Sequence, residues 1–110
     1  MRNSVALVIL LLAATLEVGG DAIVRVGLHS SGWRPRLLIY LLAAAVLFAY
    51  GWTVNAPAWD FGRLLGLYVV LFFIVAQLVS WVGFGQLPSR GVLIGGALII
   101  SGGVVIFAMQ

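Results

Sequence analysis

The sequence predicts an all-α membrane protein, with four transmembrane helices per chain, short loops and a dimeric bundle as its assembly. Three observations carry that prediction. Of the 110 residues, 64% are hydrophobic and 8% charged, against roughly 45–50% apolar and about 25% charged usage in soluble domains. The apolar residues gather into four runs, each near the ~20 residues that cross a bilayer as a helix. The last run is rich in small residues, which in lipid mark a helix–helix interface because they let backbones approach. Four spans fill the chain as a single transmembrane domain over 1–110, leaving no room for an extramembrane domain, so the function is expected inside the bilayer. Cysteine is absent, which excludes disulfides, thiol chemistry and thiolate metal sites. Six arginines and no lysine oppose Glu17, Asp21 and Asp60. The arginines are scattered rather than clustered on one face, which argues against nucleic acid as a partner and for contacts with the lipid bilayer.

The first span is predicted over 5–26. A positive start and a short apolar core from Val5 to Leu16 also fit a secretory signal peptide. Apolar character resumes at Ala22, Ile23, Val24 and Val26, however, and the small-residue cleavage pattern is poor. Read as a span, it places Glu17 near its midpoint, with Asp21 and Arg25 about 6 and about 12 Å further along the axis. Ala13, Glu17, Asp21 and Arg25 recur every four residues and so share one face. A charge near the middle of a bilayer costs a few kcal/mol or more, so that face must meet protein or water. Asp21 and Arg25 have the spacing and order of a self-neutralising i, i+4 ion pair. Glu17 is left without a local counter-ion.

The stretch Gly27 to Arg36 reads as a loop, punctuated by Gly, Ser and Pro, with Trp33 at the membrane interface and His29 solvated. The second span, 37–54, is alanine-rich, and Ala43, Ala44 and Ala45 permit close helix contact. A second loop, Asn55 to Arg63, carries interfacial Trp59 and an Asp60–Arg63 pair without chemistry. In the third span, 64–84, Tyr68 and Gln77 fall on opposite faces at about 100° per residue. Leu64, Leu65, Phe72 and Val75 accompany Tyr68, while Ser80 and Trp81 lie on the Gln77 side. A tight turn at Gly85 to Arg90 leads to the last span, 92–109, where Gly91, Gly95, Ser101 and Gly102 form the expected dimer interface. Packing within one subunit is the competing use of this helix. Arg2 and Arg63 fall on one side of the membrane and Arg34, Arg36 and Arg90 on the other, a weak bias compatible with insertion in both orientations.

The residues resemble the small multidrug resistance transporters. SWVGFGQ (Ser80 to Gln86) and IGGALIISGGVVI (Ile94 to Ile106) are similar to the end of that family's third helix and to its fourth, dimerising helix, with Gly95 and Gly102 on its seven-spaced glycines. Ala13 to Arg25 resembles its first helix, Glu17 matching the essential membrane-embedded glutamate and Arg25 the basic residue at the helix end. Gly62 and Arg63 followed by Tyr68 look more like the YnfA-type branch. The chain departs from the drug-exporting members at Leu65, where they carry tyrosine, at Val69 and Val70, where they carry a glycine-containing kink, and at Asp21, an acid they lack.

The resemblance implies a proton-coupled antiporter of the bacterial inner membrane that exports small organic cations by alternating access, as a homodimer of antiparallel copies. Glu17 would hold protons or the cation in competition, and Tyr68 would contribute a cation–π contact or hydroxyl bond; Asp21, which the resemblance does not cover, either pairs with Arg25 or widens the pocket's preference toward polar or guanidinium-like cations. Competition of this kind needs only one carboxylate, since either a proton or a cation neutralises it in low dielectric. Two other uses fit the residues: a non-transporting membrane subunit or heterodimer partner in which Glu17 serves packing, and a flippase of lipid-linked substrates. No catalytic signature, metal-ligand cluster or phosphate-binding loop is present in the sequence, so neither an enzyme nor a cofactor is expected.

Overall fold

The computed structural model describes residues 3–109; Arg2, one of the residues used for orientation, lies outside them. They form four helices: α1 (Asn3–Leu28), α2 (Trp33–Val54), α3 (Phe61–Phe84) and α4 (Arg90–Ala108). Each is long and apolar enough to cross a membrane. Even α4, with 19 residues, reaches about 28 Å, close to the ~30 Å hydrocarbon thickness.

All four helices begin earlier than their apolar runs, α1 at Asn3 by two residues. The first turn of α2 takes in Trp33, Arg34, Pro35 and Arg36, which were expected in the loop. Proline is tolerated there because the first helical N–H groups have no partner within the helix in any case. α3 starts at Phe61 rather than Leu64, and α4 at Arg90 rather than Val92. Polar residues do not end a helix at a membrane interface, so hydropathy under-reads the length. The end of α3 is set by Gly85 at φ 66°, with the Gln86 N–H donating to Ser80 O and the Gly85 N–H to Trp81 O. Such a left-handed glycine stop satisfies the last carbonyls. Ser89 caps α4 by accepting from the Val92 N–H at 3.2 Å. The end of α1 is closed from a distance, since the Arg36 guanidinium donates to Gly27 O at 3.2 Å and Leu28 O at 2.8 Å. Arg36 thus neutralises a helix C-terminus as well as facing the headgroups.

The helices pack in the order α2, α1, α3, α4, and within the described residues the α4 backbone comes close to that of α3 and of no other helix. Antiparallel contact of α1 and α2 is made at Gly20, which admits Leu47, and at Gly27, which admits Tyr40. Of the three alanines expected at helix contacts, Ala43 is fully buried, while Ala44 and Ala45 are exposed. The result is a slab of 50 × 34 × 18 Å with a radius of gyration of 15.5 Å, above the ~13 Å of a compact chain of similar length. Its broad faces are apolar: Phe48 is 71% and Trp52 74% exposed, which in a bilayer is lipid contact.

The core lies between α1 and α3. Leu10, Ala13, Ala14 and Val18 of α1 meet Leu64, Leu67, Tyr68 and Val75 of α3, with Val54 of α2. Leu64 and Val75 accompany Tyr68 as expected, and Leu65 and Phe72 pack at the edge of the same cluster.

Candidate functional site

Glu17 and Tyr68 come together across the α1–α3 junction. The Tyr68 hydroxyl donates to Glu17 Oε1 at 2.8 Å, an ordinary length for an O–H···O bond. Local packing fixes both partners. Ala13 and Ala14, fully buried one turn before Glu17, are small enough to let α3 approach. The Tyr68 ring, 4% exposed, is held between Tyr50 of α2 at 5.8 Å and Phe72 of its own helix at 6.3 Å, both tilted. Glu17 itself is half-buried. Tyr50 is the site residue that sequence reasoning missed: α2 is apolar on all sides, so nothing in its pattern distinguishes Tyr50 from Tyr40.

Asp21 and Arg25 continue the stripe from Glu17 but do not pair. No Arg25 nitrogen lies within 4.0 Å of an Asp21 oxygen; the Arg25 guanidinium instead sits over the Phe84 ring, 5.4 Å from its centroid. An exposed i, i+4 pair contributes only about 0.2–0.5 kcal/mol, and a cation–π contact is worth about as much or more. The tertiary neighbour therefore wins over the local one. Asp21, Arg25, Phe72, Phe84, Ser80 and Gln86 line a cleft of about 240 Å³ between the C-terminal halves of α1 and α3. Ser80 thus faces the Asp21 side, contrary to its expected place beside Gln77, because 120° of rotation from Tyr68 leaves it between the two faces. Its hydroxyl lies 3.4 Å from both Gln86 O and Gln86 Oε1. At the outer end His29, the first residue past the helix, donates from Nδ1 to Arg25 O at 2.8 Å. Gln77 lies on the other side of α3, facing α4.

The residues expected to form a dimer interface are free within the subunit. Gly95 and Gly102 have no neighbouring atom near the position a methyl would take, and Gly91 has only Ser89 Oγ at 3.9 Å. Ser101 spends its hydroxyl on its own helix, donating to Ala97 O at 2.7 Å. The neighbouring pair Gly96 and Gly103 makes the internal contact: a side chain at Gly96 would meet the Phe73 ring, and one at Gly103 would meet Val70. The same spacing of seven was there to be read one residue along. Nor does Arg63 pair with Asp60; its guanidinium stacks on Trp59 at 4.5 Å, and its Nε is buried without a hydrogen-bond partner. Among the described residues no group of three or more His, Asp or Glu side chains converges to hold a metal ion.

Four spanning-length helices with acidic residues along one face define a multi-pass membrane protein. Over 109 residues the chain is 29% identical to a UPF0060 membrane protein of Clostridium perfringens (strain SM101 / Type A), a match that covers 96% of this chain and 95% of that protein. No family model matches the chain, and no solved structure matches it.

Proposed function

We propose that the protein is a proton-coupled antiporter of the bacterial inner membrane, exporting small organic cations of the quaternary ammonium or guanidinium type by alternating access. One observation carries the reading: near the middle of its helix Glu17 has a single hydrogen-bond partner among the described residues, the Tyr68 hydroxyl of a different helix, at 2.8 Å. The carboxylate is satisfied on one side and open on the other. A proton or a cation neutralises the open side, and each displaces the other. With a cation bound, the Tyr68 hydroxyl orients the carboxylate, its ring being covered by Tyr50 and Phe72. With a proton bound, the site carries no net charge and can return. The end-to-end likeness to a membrane protein of similar length is in keeping with this reading, as are the sequence features shared with small multidrug resistance transporters. No covalent chemistry is involved.

In this proposal the working unit is a homodimer of antiparallel copies. A span cannot leave ionisable groups toward lipid, and the Asp21 side of the slab is open; a second copy or water must cover it. Gradient-driven uptake of a quaternary ammonium or a guanidinium compound into proteoliposomes tests the function. Glu17→Gln is expected to reduce uptake to the level of protein-free liposomes. Tyr68→Phe should lower it by about three- to tenfold, the worth of one intramembrane hydrogen bond. Folded protein that moves no cation down or against a proton gradient would sink the proposal.

The same hydrogen bond supports a second reading, in which it locks α1 to α3 in a non-transporting subunit. There Glu17→Gln, Glu17→Asp and Tyr68→Phe would change stability or assembly in step, and no flux would depend on them.

A further inference from the structure

The cleft between Asp21 and Phe84 carries more than the exchange reaction at Glu17 requires. It is bounded at its inner end by Phe72, whose ring packs on Tyr68 at 6.3 Å and also lines the cleft. Its wall reaches Val18 on α1 but does not include Glu17, so the carboxylate that defines the main site lies just beyond its inner end. At its outer end it adjoins a second hollow lined by Arg25, His29, Ser30 and Gln86, at the end of α1. A polar route therefore leads from the end of the helix inward to Asp21 and ends at an aromatic wall.

Two facts say what the cleft would hold. The first is that Asp21, inside a spanning helix, makes no hydrogen bond or ion pair among the described residues, although an arginine stands one turn away. An unpartnered carboxylate at that depth requires a cation or water. The second is that a planar cation already occupies the cleft: the Arg25 guanidinium rests on the Phe84 ring at 5.4 Å. Arg25 is tethered to the cleft wall and satisfies the aromatic half of the site, leaving the carboxylate half unused. A free guanidinium-type cation, with no tether, can take both halves together. The space of about 240 Å³ has room for a small cation beside the Asp21 carboxylate.

The geometry points to a second cation site at Asp21, Phe84 and Phe72, one turn nearer the membrane surface than Glu17, which binds small guanidinium-type cations by displacing the Arg25 side chain from Phe84. This deepens the antiport reading by giving the substrate a staging point on its way to Glu17, and rests on it for that role. Binding at the cleft itself needs no transport.

The test is phenylguanidinium binding to the full chain in lipid nanodiscs, carried out in Glu17→Gln protein so that the main site contributes no charge. The Arg25 Nε–H resonance, shifted by the Phe84 ring, reports displacement. The expected result is saturable binding that moves this resonance, with no response to neutral phenylurea. Arg25→Ala is expected to tighten binding, because the competitor is gone, and Asp21→Asn to weaken it by about tenfold or more. Should Asp21→Asn fail to assemble, Phe84→Leu serves in its place and is expected to weaken binding while releasing the Arg25 resonance. The site is overturned if Glu17→Gln protein shows no saturable binding, or if Arg25→Ala weakens binding as much as Asp21→Asn does. Wild-type protein that binds at the cleft but moves no cation would refute the antiport proposal and leave this site standing. Wild-type flux with no cleft binding in Glu17→Gln protein would do the reverse.

Discussion

α3 is held on two sides by different physics. Toward α1 it presents Tyr68, whose hydroxyl is directed at Glu17 and whose ring is stacked between Tyr50 and Phe72. Toward α4 it presents Val70 and Phe73, which fit over Gly103 and Gly96 with no polar contact. The first junction is directional and fixes two oxygens to within a hydrogen bond. The second depends on shape, and in lipid, where apolar burial gives no net drive, shape is what holds helices together. The difference separates a place where chemistry is positioned from a place where a helix is merely attached. The backbone of α4 comes close to α3 alone among the described residues, and that approach is made at the glycine seam, with Phe107 adding side-chain packing at the edge of the core.

The largest expected effect comes from breaking the seam. Gly103→Leu would drive a branched side chain into Val70, a short and β-branched neighbour with little room to turn. Overpacking of this kind costs about 1–3 kcal/mol. Because the seam is where the α4 backbone comes closest to the rest of the bundle, the loss should appear as early release of this helix, seen as two transitions in a denaturing-detergent titration followed by circular dichroism. Gly96→Ala should cost less, since the Phe73 ring it meets is the end of a longer side chain. One cooperative transition at the wild-type midpoint for Gly103→Leu would show that α4 is held by something other than the seam.

A smaller effect is expected at the polar junction. Hydrogen bonds between membrane helices average about 0.6 kcal/mol, so Tyr68→Phe should move the unfolding midpoint only slightly. That modest worth bears on function. A carboxyl group placed inside a span costs several times what the bond returns, which makes stability a poor reason for Glu17 to be there. A large flux defect in Tyr68→Phe combined with a stability change near 0.6 kcal/mol would sharpen the contrast between the two junctions; a stability loss several times that size would turn Glu17 and Tyr68 into a packing device.

The four spans were legible because apolar length against bilayer thickness is one strong energy, and the cost of an intramembrane charge is what made Glu17 a candidate. What Glu17 bonds to was not legible, since Tyr68 is 51 residues away and only the packing of α1 on α3 brings them together. The same limit explains Arg25. Its local spacing to Asp21 obeys the helix rule, yet a ring from the end of α3 offers a better seat. Weak local preferences lose to tertiary neighbours of equal strength, and a sequence does not reveal which neighbours arrive. On α4 the ambiguity is rotational. Gly95 and Gly102 are one residue from Gly96 and Gly103, about 100° around the helix, and both pairs fit a packing seam until α3 takes one.

The smallest effect on the fold, and the sharpest use of the comparison, lies with the pair α3 leaves open. Gly95→Ala and Gly102→Ala place a methyl where nothing within the subunit lies within 4 Å. Unfolding of the isolated subunit should therefore stay within about 0.5 kcal/mol of wild type, as for substitutions that touch nothing. If a second copy packs on this face, the methyls hold the two backbones apart, and the fraction of dimers in liposomes, counted by single-molecule photobleaching, should fall. Ser101→Ala is the control on the same face: its hydroxyl is already bonded to Ala97 O at 2.7 Å, so removing it should leave association nearly unchanged. Gly95→Ala and Gly102→Ala variants that dimerise like wild type would move the dimer contact away from α4. The cleft side of α1, where Asp21 stands open, would then be the face that a second copy has to cover.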